Sequence, residues 1–187
     1  MTAHDNTVLR HRDREPGPWA NGGGITYEVL RSPAGAMDFD WRLSVAEVAS
    51  EGPFSSLPGI DRILVLLQGR MTLVIDGTAY DVPPFQPLAF PGEAQVTSEL
   101  PHGPTMDVNV MTRRGRVTAD IAMLGGPEVT IECFAATAVA AFVLEGAWQL
   151  VGESEPLDAW DCVIVDHQAH LRGDGLLARM TFGAAVS

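Results

Sequence analysis

The sequence predicts an all-β protein with little helix, built from two copies of a small β-unit, and three observations carry that expectation. Glycine (19) and proline (13) are dense for a chain of 187 residues, a composition that suits many turns between short strands. Extended segments set β-branched and aromatic residues beside polar ones in alternation, the period of a pleated strand. The stretch LVLLQGRMTLVIDGTAYDVPPFQPLAF in the first half resembles AFVLEGAWQLVGESEPLDAWDCVIV in the second. Gly69 and Gly146 occupy equivalent turns in that comparison, and Phe90 and Val165 correspond further along. Duplicated units of this kind commonly close into barrels or sandwiches, which protect their edge strands.

The elements follow in order. Ile25 to Leu30 (ITYEVL) and Phe39 to Val48 (FDWRLSVAEV) read as strands. In the second, Phe39, Trp41, Leu43 and Val45 share one face, while Asp40, Arg42, Ser44 and Ala46 share the other. The stretch ASEGPFSSLPGIDR is expected to be an irregular loop because of its Gly and Pro residues. Ile63 to Leu67, a turn at Gln68-Gly69, Met71 to Ile75 and a turn at Asp76-Gly77 make a hairpin series. Later, Val129, Ile131 and Cys133 alternate with Thr130, Glu132 and Phe134, which favours strand over an alanine-driven helix. A short helix fits only around Ala119 to Leu124. The expected division is residues 1–115, including the N-terminal strands, and a shorter second unit at 116–187, packed as one body.

Composition excludes several function classes. The net charge of −12 lacks the basic face of a nucleic-acid binder. All twelve basic side chains are arginines, so lysine Schiff-base and lysine general-base chemistry are excluded. No apolar run approaches the ~20 residues of a membrane helix. The charged start MTAHDNTVLRHRDREP lacks the apolar stretch of a signal peptide, which makes the cytoplasm the default. Cys133 and Cys162 are expected to be reduced core residues.

Alternation points to candidate functional groups. Thr26 with Glu28, Arg42 with Ser44, and Asp107 with Asn109 each form a polar pair on one strand face, and Arg62 begins another strand. Two readings stand side by side. The faces meet solvent and carry internal salt bridges, or they line a pocket whose arginines pair with a carboxylate. Phe54 and Ser55 lie on a loop placed to cover such a pocket. Asn21 with Gly22, Gly23 and Gly24 leads into a strand, so a tight turn is expected there, not a phosphate cradle before a helix. His4 and His11 belong to the polar amino terminus. His167 and His170 are three apart and would face opposite sides of a strand, a poor geometry for a shared metal. No serine has the setting of an activated nucleophile, and no cofactor is implied.

IDRILVLLQGRMTLVIDG and PFQPLAFPGEAQ resemble the two conserved blocks of cupins, which commonly supply histidines and a glutamate to a metal. Here Asp61 and Arg62 stand near the glutamate position, and Gln95 stands near the second-block histidine. A guanidinium stays protonated and has no lone pair to give a cation, so the usual metal site is missing. A closer resemblance spans nearly the whole chain. WANGGGITYEV (Trp19 to Val29), FDWRLSVAEV, GPFSSLPGIDR (Gly52 to Arg62), PFQPLAFPG (Pro84 to Gly92) and DVNVM (Asp107 to Met111) resemble, in order, the motifs of the HutD/Ves family. That resemblance implies a duplicated cupin (bicupin) jelly roll and favours the pocket reading, with Thr26, Glu28, Arg42, Ser44, Phe54, Ser55, Arg62, Asp107 and Asn109 as its candidate residues. It further implies a small carboxylate ligand such as urocanate or N-formylglutamate and a regulatory role in histidine utilisation. The alternative function is a metal-independent isomerase or lyase with Glu28 or Asp107 as general base; a third is an interaction module with a vestigial pocket. Monomer and homodimer are both left open.

Overall fold

The computed structural model describes residues 6–19, 22–134 and 137–185. Their strands are β1 Thr7–Leu9, β2 Pro16–Pro18, β3 Gly24–Ser32, β4 Trp41–Val48, β5 Gly52–Pro53, β6 Ile60–Gln68, β7 Met71–Ile75 and β8 Thr78–Val82. Then come β9 Pro87–Pro91, β10 Val96–Glu99, β11 Thr105–Arg113, β12 Val117–Gly125, β13 Glu128–Glu132, β14 Thr137–Leu150, β15 Cys162–Val165 and β16 Gln168–Ala184. One 3-10 turn, His11–Asp13, is the only helical segment among the described residues. None of their helices is long and apolar enough to cross a membrane. The all-β expectation holds.

The described residues form two compact units, one of which is Glu15–Val117. It contains a six-stranded sheet in the order β2-β3-β4-β11-β6-β9 and a four-stranded sheet in the order β5-β10-β7-β8. Side chains from both sheets share one apolar cluster: Val48, Leu64, Leu66, Met71, Leu73, Val82, Phe90, Val96 and Leu100. The β7–β8 hairpin closes as expected, with Asp76 (φ 49°) and Gly77 (φ 81°) both left-handed between the paired Ile75 and Thr78.

The other unit joins the described residues up to Arg14 with those from Thr118 onward. Its sheet runs β1-β15-β14-β16-β12, with β13 also paired to β16, over a core that includes Trp148, Leu150, Leu157, Val163, Leu171 and Leu177. The expected boundary put the N-terminal strands with the first unit. Instead, Thr7 to Leu9 pairs antiparallel with Ile164 to Cys162, and Arg10 reaches Asp161 at 2.9 Å. Edge pairing and an ion pair hold this strand on the later sheet.

Three local expectations are corrected. Residues 119–124 lie inside β12, beside β16, so strand pairing overrides the alanines. Gly52–Pro53, within the expected loop, pairs with Thr97 and Ser98 as a two-residue strand. Gly146 makes no turn; β14 runs through it, facing Gly175 beyond a bulge between Val143 and Glu145. A Cβ there would lie 1.9 Å from the Asp174 carbonyl oxygen, so close backbone approach, together with φ of +84°, requires glycine. Gly69 does end its strand, and the chain passes from the six-stranded sheet into the four-stranded one.

Candidate functional site

The central strands of the six-stranded sheet are buried on both faces, with apolar and polar residues sorted between them. Leu43, Val45, Val65, Val108 and Val110 lie on one face and are fully or almost fully buried. On the other face, the strand register lines up three rows. Thr26, Ala46, Asp107 and Leu66 make the first, and Glu28, Ser44, Asn109 and Leu64 make the second. Arg31, Arg42, Met111, Arg62 and Phe90 make the third. Ser44, Asn109 and Asp107 are buried, and Arg62 is only 6% exposed, so the solvent-facing reading fails for them.

A bulge in β3 adjusts the third row. Register shifts between Glu28 and Leu30, so the extra residue Val29 returns Arg31 to the face of Glu28. Strict alternation would have sent it to the opposite face. As a result Arg31 grips Glu28 through Nε at 2.7 Å and through a second nitrogen, while Arg42 Nε donates to Glu28 Oε2 at 2.9 Å. The hydrogen bonds from Arg31, assisted by Arg42, hold the Glu28 carboxylate below its ordinary range against the opposing effect of burial.

Above these rows lies a cavity of about 350 Å³. Of the candidate residues, Thr26, Arg42, Ser44, Phe54, Ser55, Arg62, Asp107 and Asn109 line it; Glu28 does not, being committed to the two arginines. The lining also includes Trp19, Ala46, Pro53, Leu57 and Met111, which the sequence reading missed. Ala46 and Met111 carried a signal, since each extends the alternation of its own strand. Trp19 and Leu57 arrive through tertiary folding, which strand alternation does not encode.

Trp19 is set by the glycine run. Its backbone N–H donates to the Gly24 carbonyl at 2.9 Å, and Gly22 takes φ of 71° in the expected tight turn; Asn21 lies outside the described residues. A Cβ on Gly24 would come within 2.3 Å of the Glu47 carbonyl oxygen and 3.1 Å of the Trp19 ring. The indole can therefore fold back, donate from Nε1 to Thr26 Oγ1 at 2.7 Å, and meet Phe54 edge-on at 6.2 Å between ring centroids.

Arg62 is the central cation. Its guanidinium carbon sits 5.1 Å from the Phe54 centroid and 5.0 Å from that of Phe90, and Nε donates to Asn109 Oδ1 at 3.2 Å. The two terminal nitrogens make no hydrogen bond to a described residue. Burial pulls its pKa down to about 10, with Arg42 adding to the pull and Asp107 opposing it. It remains a cation at neutral pH. Asn109 Nδ2 turns to Asp107 Oδ1 at 3.4 Å, while the buried Asp107 Oδ2 has no partner among the described residues. Full burial pushes the Asp107 carboxyl up to about 7, despite the opposing pull of Arg62 and Asn109.

In the other unit, Asp161 is 2% exposed and accepts from Arg10 Nη1 at 2.9 Å and from the His11 backbone N–H at 2.7 Å. His167 lies beside Asp166 at 3.5 Å, while His170 sits on β16 between Thr130 and Gln168; His4 is outside the described residues. Among the described residues no three His, Cys, Asp or Glu groups converge to hold a metal. Both cysteines are thiols. Cys162 is fully buried and its thiol is pushed up to about 12, whereas Cys133 is half-buried, not a core residue as expected.

Comparison with known proteins places this architecture. The HutD family model matches residues 11–178. Protein Ves of Citrobacter koseri is 36% identical over 135 residues, covering 71% of this chain and 69% of that protein. Among solved structures, HutD from Pseudomonas fluorescens SBW25 superposes with a TM-score of 0.84 at 31% identity, over 97% of this chain and 100% of that one. A conserved protein of unknown function from Pseudomonas aeruginosa PAO1 gives 0.80 at 28% identity, with the same coverages of 97% and 100%. The all-β fold is of the cupin type. On the family match across most of its length, the chain belongs to the HutD family.

Proposed function

We propose that the cavity binds a small carboxylate without using a metal, and that the ligand is an intermediate of histidine degradation such as urocanate or N-formylglutamate. One observation carries this reading: a guanidinium that is only 6% exposed lines a cavity, its Nε fixed by Asn109 and its terminal nitrogens without a hydrogen bond to any described residue. A largely buried cation is costly unless an anion pairs with it, and a carboxylate matches the paired N–H groups of a guanidinium. Arg42 adds a second cation, while Trp19 and Phe54 offer apolar walls to the rest of the molecule. The family name associates HutD with histidine utilisation, which supports this ligand class and a sensing role in regulating that pathway. The net charge of −12 supports a protein that works apart from nucleic acid, and the proposed location is the cytoplasm.

A metal-independent isomerase or lyase is favoured by one observation, the buried Asp107 carboxyl at about 7, within the range of a general base at neutral pH. Glu28 suits that role less, because two arginines hold it as a stabilised anion. Calorimetric titration with urocanate and N-formylglutamate, followed by chromatography of the recovered ligand, tests both. Saturable binding with the ligand unchanged supports sensing. Consumption of the ligand replaces it with the enzyme, and absence of binding by either acid removes the carboxylate reading.

A further inference from the structure

We infer that Asp107 is the specificity-determining residue of the cavity: it enters the complex as the neutral acid, donating from Oδ2 to the carboxylate held by Arg62, so that each anion is taken up with one proton. The inference rests on the carboxylate reading above. Asn109 fixes the geometry. Because Arg62 Nε donates to its Oδ1, its amide nitrogen must face Asp107 Oδ1, which leaves Oδ2 as the open position. Asp107 is 0% exposed, so Oδ2 must find its partner in the cavity that the residue lines.

The charges around it decide which partner that is. Arg62 on β6 and Arg42 on β4 are the cations, and Arg42 Nε is committed to Glu28 on β3, which Arg31 also holds. Thr26, Ser44, Ser55, Trp19 and Asn109 add polar groups without charge. An ionised Asp107 would set two carboxylates against each other in a desolvated space, and such pairs retain a proton between them. Burial already places the empty protein near the point where that proton is held at neutral pH. A neutral Oδ2–H then supplies the donor that an anion needs. It discriminates against a ligand that presents only hydrogen-bond donors.

The test is calorimetry on the full chain with N-formylglutamate and fumarate, whose carboxylates do not titrate between pH 6 and 9. Titrations at pH 8 in two buffers of different ionisation enthalpy count protons. About one proton per ligand is expected, with affinity falling roughly tenfold for each pH unit above about 7, because only the protonated fraction binds. In Asp107→Asn, whose amide donates at every pH, proton uptake and slope should vanish. Affinity that is flat or rises with pH, a proton count of zero, or a slope that persists in the folded variant overturns the inference and leaves the carboxylate reading standing. If the variant does not fold, the wild-type proton count decides. Binding of neither acid at any pH overturns the inference, and the carboxylate reading falls with it if urocanate also fails to bind.

Discussion

Replacing Arg62 with methionine separates binding from stability, because the structure predicts that the two respond differently. The substitution removes the guanidinium but keeps an unbranched stem between Phe54 and Phe90, where a thioether also makes favourable ring contacts. On the binding side, the loss is one charge-assisted interaction, about 1.5–3 kcal/mol. That corresponds to roughly a tenfold to hundredfold weaker affinity. On the stability side the contributions oppose each other. The hydrogen bond to Asn109 and two cation–ring contacts are lost, together on the order of 2–3 kcal/mol. Against this, burying the charge carried a cost, visible in the pKa pulled down to about 10, and a well-packed apolar replacement removes it. Asp107 loses a neighbouring cation and shifts further toward its neutral form, which limits the penalty on its side. Net stability should therefore change by no more than about 2 kcal/mol, while affinity falls by at least tenfold. The assay is a thermal melt beside each titration with urocanate and N-formylglutamate. Undiminished affinity in a folded variant refutes Arg62 as the carboxylate anchor, and a collapsed melt shows that its role is to hold the sheet.

Four further outcomes follow from the same geometry. The raised Asp107 pKa means that the native state keeps a proton which the unfolded chain releases, so stability of the empty protein should fall as pH rises from about 4 to about 7, by at most ~4 kcal/mol; Asp107→Asn should flatten that slope in melts across pH. Glu28 has a lowered pKa, so its contribution is present above about 4.5 and lost below it, worth only a few tenths of a kcal/mol because the group is partly exposed. Glu28→Gln should also release Arg42 and tighten anion binding a few-fold, read by titration. Gly146→Ala should lower stability by more than about 2 kcal/mol, since both its φ and the Asp174 carbonyl oppose a Cβ, whereas Gly152→Ala meets only the φ penalty; denaturant unfolding compares them. Elemental analysis should find no stoichiometric Fe, Mn, Zn or Ni, and a chelator should leave affinity unchanged; one metal lost together with binding refutes this.

Much of the site was legible because a strand has a strict period of two. Arg42 with Ser44, and Asp107 with Asn109, could be placed on common faces from sequence alone, and the register then brought the faces together. That period fails where a bulge intervenes. Arg31 was invisible as a partner of Glu28 because Val29 breaks the alternation, and no composition signal marks the break. The identical glycine pattern at Gly69 and Gly146 misled for a related reason. A glycine records that a side chain is intolerable, without saying whether a turn or an approaching backbone forbids it. The expected 1–115 boundary took in Thr7–Leu9 only by its place along the chain, whereas edge pairing, a tertiary choice, decides where a short terminal strand lands.

On the proposed reading, the exchange at Arg62 lets a cupin-type face without the usual metal-ligand residues favour an anion. A cupin whose glutamate and histidines hold a metal presents a fixed positive charge to its pocket, bought with several buried side chains. Here a guanidinium near the glutamate position presents that charge directly, and the buried face around it is arranged to keep it. Phe54 and Phe90 cover it, Asn109 orients it, and Asp107 sits close enough to lower the electrostatic cost of its burial. The difference lies in what the charge offers. A metal has coordination positions at which it polarises a bound group, whereas a guanidinium offers directed N–H donors and no empty orbital. On the proposed reading, such a centre holds a carboxylate by shape and charge and leaves proton movement to its neighbour Asp107. This favours recognition over chemistry, and makes the protonation state of Asp107 the variable that sets affinity.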